Sequence, residues 1–172
     1  FGTPAFKSMR PISRNRLESY AFYMTGRVSL TETLTFDGGM RYTKSSNDFE
    51  GCMADVDGGF AAGLTASLRR NNPSQPTIPA GSCVTIDVAT GQPGLIYKSL
   101  SEDNVSWRGA LNWRPNTALQ MYGSISRGYK TGGFPNINAT NSAQYTAVTQ
   151  ESNTAYELGV RGGFSAFDID LS

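Results

Sequence analysis

The chain has 172 residues, of which 38% are hydrophobic and 17% charged, with a net charge of +1 and a mean hydropathy of −0.34. This balanced charge gives no field for nucleic acid and no polybasic surface. The absence of histidine excludes Ser-His-Asp and Cys-His catalysis and most zinc sites. We therefore predict a protein that is not an enzyme and that has no metal, cofactor or nucleic-acid partner.

The apolar residues are dispersed along the chain. No stretch approaches the roughly 20 consecutive apolar residues of a membrane helix, and the chain does not open with a secretory signal, so any export signal is expected outside it. The low hydropathy still allows a membrane protein, because each strand of a transmembrane β-barrel presents half of its side chains to water.

Two strands are predicted near the start of the chain, after an irregular and basic segment at residues 1–16. They cover residues 17–30 and 34–47 and are joined by a tight turn. Successive side chains of a strand point to opposite faces, so alternating apolar and polar residues give one greasy face and one hydrated face. The second strand alternates most clearly, with Leu34, Phe36, Gly38, Met40 and Tyr42 opposite Thr35, Asp37, Gly39, Arg41 and Thr43.

Residues 48–100 show no sustained periodicity and are predicted to form a long loop. This segment contains both cysteines, Cys52 and Cys83, which we interpret as a loop disulfide of an oxidising compartment. Two unrelated free thiols are the alternative. A redox or zinc site is disfavoured because there is no Cys-x-x-Cys motif.

The alternation resumes in the second half of the chain. Strands are predicted at 102–114, 118–129 and 152–164, with a second long loop at 130–150. A sixth strand at 167–172 reaches the end of the chain in mid-course. Long and short connections therefore alternate.

This loop asymmetry is typical of an outer-membrane β-barrel, which has short periplasmic turns and long extracellular loops. The aromatic residues near the strand ends are expected to form two interfacial girdles. One comprises Tyr20, Tyr42, Trp107, Tyr129 and Tyr156, and the other Trp113, Phe164 and Phe167. The charged residues of the strands are predicted to face the lumen: Arg27, Asp37, Arg41, Arg108, Arg114, Glu157, Arg161, Asp168 and Asp170.

Two segments resemble a known family. Residues 121–134 (MYGSISRGYKTGGF), followed by Gln150-Glu151 and residues 154–161 (TAYELGVR), resemble the barrel of TonB-dependent outer-membrane receptors. That family has a Tyr-rich strand ending in an "RGYKsGGF" element, a polar loop, and then "E…YElGvK". Residues 34–43 are similar to the preceding hairpin, and the resemblance covers most of residues 17–172.

The resemblance implies an antiparallel transmembrane β-barrel of about 22 strands, plugged by an N-terminal domain, in the bacterial outer membrane. Such a receptor binds a scarce ligand, most often a ferric siderophore and sometimes haem, cobalamin or a saccharide, and imports it with energy from the TonB complex. The chain would then be a partial barrel of about six strands without the plug domain, since six strands cannot close so large a barrel.

The ligand is expected to meet the extracellular loops and the upper lumen. Anionic or catecholic siderophores suit cationic and aromatic contacts. The candidate ligand-binding residues are Arg69, Arg70, Tyr97, Lys130, Asn136, Asn138 and Tyr145. Two other functions remain open at this point, namely a passive outer-membrane porin and a soluble extracellular β-sandwich that acts as a binding module.

Overall fold

The fold is an all-β sheet with one inserted helix. The computed structural model describes residues 9–164 and 167–171, so the connection at 165–166 between the predicted fifth and sixth strands, and the end of the sixth strand at Ser172, lie outside the described residues. The elements, in chain order, are β1 (Met9–Ser29), β2 (Leu34–Asp55), α1 (Gly59–Asn71), β3 (Ile96–Asn116), β4 (Leu119–Lys130), a 3₁₀ helix (Ser142–Gln144), β5 (Glu151–Phe164) and β6 (Phe167–Leu171).

All six strands belong to one antiparallel sheet, in which they neighbour one another in chain order from β1 to β6. The prediction of an all-β antiparallel fold is confirmed. Within the described residues, no helix has the length and apolar character needed to cross a membrane.

Three strands extend further than their alternation predicted. β1 begins at Met9 rather than at 17, so residues 9–16 are not irregular, and β2 and β3 extend to Asp55 and back to Ile96. The physical reason is that alternation reports a face in contact with lipid or a core, whereas backbone pairing needs no such face. Residues 9–16 are exposed throughout, so their strand carries no apolar signal.

The segment 48–100 contains a helix, which corrects the prediction of a loop without regular structure. α1 begins after Gly58, whose φ of 85° is a left-handed conformation that favours glycine. The chain divides into two compact units. Among the described residues, the strand unit comprises 19–45, 101–131, 149–164 and 167–171, and the loop unit comprises 9–18, 46–100 and 132–148.

The strand register aligns the apolar residues of neighbouring strands. Along one line across β3, β4 and β5, Trp113 lies opposite Met121, and Met121 lies opposite Val160. On the next line Leu111 lies opposite Gly123, and Gly123 lies opposite Leu158. The predicted faces of these strands are therefore continuous from strand to strand.

This apolar face is exposed. Leu158 is 79% exposed, and Phe22 of β1 is 77% exposed. A contiguous exposed apolar surface of this kind marks a contact with lipid or protein, and the lipid-facing side of a barrel wall has this character. Other exposed members of the face are Tyr20, Met24, Val28, Phe36, Met40, Tyr42, Val105, Trp107, Leu111, Trp113, Met121, Tyr156 and Val160.

Candidate functional site

The opposite face of the strand unit carries a polar network across four strands. Asp37 of β2 accepts hydrogen bonds from Arg27 of β1 and, at 2.7 Å, from the Asn112 amide of β3. Gln120 of β4 donates to Asn112 at 3.4 Å and accepts from Arg114 at 3.0 Å. Cross-strand polar pairs of this kind stabilise a hydrated sheet face. Thus Arg27, Asp37 and Arg114 lie on the polar face that alternation predicted.

A second polar contact continues the network to β5. The Tyr122 hydroxyl of β4 donates to Glu157 Oε1 at 2.9 Å. The guanidinium of Arg161 lies 5.8 Å from the centre of the Tyr122 ring, within range of a cation–π interaction. An open groove of about 450 Å³ lies between Arg27 and Arg108 on this face. The face is therefore built for water and polar solutes.

The loop unit has its own interior, which begins at the end of β2. Phe49 is 1% exposed, and its ring lies 4.9 Å from the centres of both the Phe134 and the Tyr145 rings. Ile96 and Ala139 complete this cluster. Aromatic pairs at such distances stabilise a fold by more than their buried area alone would. The cluster therefore holds together segments that are far apart in the chain.

A second cluster packs α1 against the rest of the long segment. Its buried members are Met53, Ala61, Ile78 and Val84, with Phe60, Leu64 and Leu68 of α1 packed against them. Cys52 and Cys83 form a disulfide here, with Cα atoms 5.6 Å apart. The Asp55 carboxylate is buried and accepts a hydrogen bond from the Ala61 N–H in the first turn of α1.

Thr85 connects the two clusters. Its fully buried hydroxyl accepts a hydrogen bond from the Met53 N–H at 2.8 Å and donates one to the Ala139 carbonyl at 2.7 Å. Backbone hydrogen bonds between Ile86 and residues 140 and 142 continue the junction. The two segments predicted as separate loops therefore form one folded body.

A carboxylate lies at the same junction. Asp87 accepts a hydrogen bond from the Ala89 N–H at 3.1 Å, and Ser142 Oγ donates to it at 3.1 Å. The backbone hydrogen bond from Ala89 is the largest cause that holds the pKa of Asp87 below its ordinary value, with help from Ser142, Thr90 and Lys98. The ionised form of Asp87 is thus favoured in the folded loop unit.

The two tyrosines among the predicted ligand-binding residues differ in their exposure to solvent. Tyr145 is 2% exposed inside the Phe49 cluster, and burial raises the pKa of its phenol. Tyr97 is 66% exposed, but its strand neighbour Ile96 is buried in that cluster, so Tyr97 points away from the loop interior. Core packing therefore removes Tyr145 from the accessible surface, whereas Tyr97 remains accessible and its role stays a prediction.

The two arginines at the end of α1 differ. The Arg69 guanidinium donates to the Gln75 carbonyl at 2.8 Å and to Thr77 Oγ1 at 2.9 Å, so it holds the segment that follows the helix. Arg70 is exposed and lies in the last helical turn. Arg70 is the better candidate for an external anionic ligand.

The remaining predicted residues are exposed. Asn136 and Asn138 lie in the loop unit, immediately before the buried Ala139. Lys130 ends β4 in the strand unit, where its Nζ lies 3.8 Å from Glu151 Oε2. Both of these side chains are more than two-thirds exposed, so the ion pair is weak and leaves Lys130 accessible.

Sequence reasoning missed α1 and the folded loop interior. A signal for the helix exists, because Phe60, Leu64 and Leu68 follow a helical repeat of four after Asp57-Gly58. No comparable local pattern marks Thr85, Asp87 or Ser142, which acquire their roles from contacts between distant segments. Within the described residues, no group of acidic or cysteine side chains could hold a metal ion.

Comparison with known proteins decides the family. The family model described as "TonB dependent receptor-like, beta-barrel" matches residues 2–172. The chain belongs to this family. It is an outer-membrane protein family, which argues against the soluble β-sandwich. No curated protein matches the chain in a sequence search.

A solved structure shows the same fold for this TonB-dependent receptor chain. The crystal structure of the ferric yersiniabactin uptake receptor FyuA from Yersinia pestis matches with a TM-score of 0.62 and 15% identity. The match covers 91% of this chain and 19% of the FyuA chain. The chain therefore spans about a fifth of the length of that receptor.

Proposed function

We propose that this chain is part of the wall and loops of an outer-membrane receptor that binds a ferric siderophore outside the cell and imports it with energy from TonB. The family match over residues 2–172 carries the proposal. The rest of a barrel of about 22 strands, its plug and the contact with the TonB complex would belong to the longer receptor.

The structure supports a receptor role for the loop unit. A disulfide, two buried clusters and the Thr85 junction hold its surface residues in fixed positions. A preorganised surface binds more tightly than a mobile one because less conformational entropy is lost on binding. The loop unit can thus present polar and cationic side chains to a ligand of defined shape.

We propose Arg70, Asn136 and Asn138 of the loop unit as ligand contacts. All three are exposed, and they offer one cation and two amides, which are suited to the anionic or catecholic groups of a siderophore. FyuA is itself a receptor for ferric yersiniabactin, which supports the substrate class and not a particular siderophore.

Equilibrium binding of a panel of ferric siderophores to the purified full-length receptor tests this proposal. We expect at least one siderophore to bind, and Arg70→Gln to weaken it about tenfold through loss of a charge-assisted hydrogen bond. Arg69→Gln is the matched control, since Arg69 bonds within the loop unit. Binding of haem, cobalamin or a saccharide with no siderophore bound would contradict the substrate class, and unchanged binding by Arg70→Gln would remove Arg70 from the contact set.

A further inference from the structure

Arg127 is a cation on the apolar face of the strand unit. Arg127 of β4 pairs in register with Trp107 of β3 and with Thr154 of β5. Met121, Gly123 and Ile125 precede it at steps of two, so Arg127 shares their face. By the same count the other charged residues of β4 and β5, namely Lys130, Glu151, Glu157 and Arg161, fall on the opposite face, whereas Lys44 of β2 shares the apolar face with Tyr42.

The position of Arg127 along β4 can be compared with the height of the apolar band of a barrel. From Leu119 to Arg127 the strand rises about 26 Å, which corresponds to about 20 Å along the membrane normal at the usual tilt of a barrel strand. The apolar band of a barrel is about 25 Å tall, so, counted from Leu119, Arg127 lies in the last quarter of the band, near its far border. On β5 the change from apolar to polar residues falls at the same level. The exposed Ser152 and Thr154 precede the exposed Tyr156 on this face.

The surroundings of Arg127 leave its charge available. Its guanidinium lies 5.4 Å from the centre of the Tyr129 ring, and it donates to Ser152 Oγ at 3.3 Å. None of the ion pairs found among the described residues includes Arg127. Arg127 is thus an exposed cation, oriented by a ring and a hydroxyl, at the level where lipid headgroups meet the sheet.

We propose that Arg127, Tyr129 and Ser152 form a binding site for the phosphate of an anionic lipid headgroup. Arginine offers several donors in a fixed planar arrangement that matches phosphate oxygens, and the Ser152 hydroxyl can donate to the same group. Tyr129 and Trp107 provide the amphipathic ring surfaces that are common at this depth. The site lies on the lipid-facing side of the strand unit.

Lipid binding to the full-length receptor in neutral detergent, measured by native mass spectrometry, tests the site. The probes are phosphatidic acid and, as a lipid without phosphate, diacylglycerol. Arg127→Gln is expected to weaken phosphatidic acid binding about tenfold, and Arg127→Lys to weaken it less, because lysine keeps the charge but loses the planar donor arrangement.

Arg108→Gln is the matched control, because Arg108 pairs with Ser126 on the adjacent line but faces the polar side. It should leave phosphatidic acid binding unchanged, and circular dichroism should show that all variants are folded. Equal binding by Arg127→Gln and the unmodified receptor would overturn the proposal. So would an equal loss with Arg108→Gln, equal affinity for diacylglycerol, or full displacement of the lipid by an equal concentration of inorganic phosphate.

Discussion

The Thr85 hydroxyl donates a hydrogen bond to the Ala139 carbonyl at 2.7 Å, across 54 residues of chain, and both residues are fully buried. This contact joins the segment after β2 to the segment after β4. Because the same hydroxyl accepts from the Met53 N–H, one side chain satisfies backbone groups of two separate segments.

Replacement of Thr85 by valine should therefore loosen the loop unit. The variant keeps the shape of the side chain but leaves a buried N–H and a buried carbonyl without their partner, at a cost of about 2–4 kcal/mol. Hydrogen exchange of Met53 and residues 84–86 should be faster. Thr149→Val, at an exposed position, is the control, and equal exchange in the two variants would show that Thr85 does not hold the junction.

The disulfide should contribute a separate part of the stability of the loop unit. Its two cysteines are 31 residues apart, and closing a loop of that size stabilises by about 3.5 kcal/mol in the chain-entropy model. Replacing both cysteines by serine should speed hydrogen exchange in residues 52–85 while leaving the β4–β5 amides unchanged. Unchanged exchange in residues 52–85 would contradict this role.

The junction should weaken in acid. The pKa of Asp87 is lowered in the folded state. Its contribution to the stability of the folded loop unit is therefore present above the ordinary carboxyl pKa of about 4 and is lost as the pH falls through the lowered value. Hydrogen exchange at residues 86–91, corrected for intrinsic rates, should show protection that decreases in this range. Asp87→Asn should have less protection at neutral pH and little dependence on pH; a dependence equal to that of the unmodified protein would rule out Asp87 as its source.

The assignment of the two sheet faces can be tested by placing one arginine on each face, in the neighbouring strands β4 and β5. Leu158→Arg places a cation on the apolar face, where it costs about 2–4 kcal/mol near the middle of the bilayer. Ser124→Arg places it on the polar face, next to the register partner Glu157. Only Leu158→Arg should reduce the amount of folded receptor in outer-membrane fractions. Equal reduction by both variants would contradict the face assignment.

The alternation of apolar and polar residues predicted which strand residues lie on the apolar face. Leu111 and Leu158 could be placed because apolar residues recur at steps of two on either side of each, namely Trp113 beyond Leu111, and Tyr156 and Val160 around Leu158. The loop unit could not be predicted in the same way. Phe134 and Tyr145 pack on Phe49 across more than 80 residues of chain, and no local pattern records such a contact.

The candidate site residues were also only partly predictable from the sequence. Exposed loop residues such as Arg70 and Asn138 were accessible to prediction, because a polar residue in an irregular segment is usually at the surface. Tyr145 was not, since an aromatic residue in a loop can equally be a ligand contact or the centre of a small core. Arg69 differs from its neighbour Arg70 only in its contacts with Gln75 and Thr77, which the tertiary structure creates.

We propose above all that this chain is part of a receptor that imports its ligand with energy from TonB. The most direct measurement is uptake of iron-labelled siderophore by cells that express the full-length receptor, with and without a functional TonB complex. We expect accumulation only when TonB is functional, with surface binding retained in its absence. Uptake at the same rate without TonB would contradict the account.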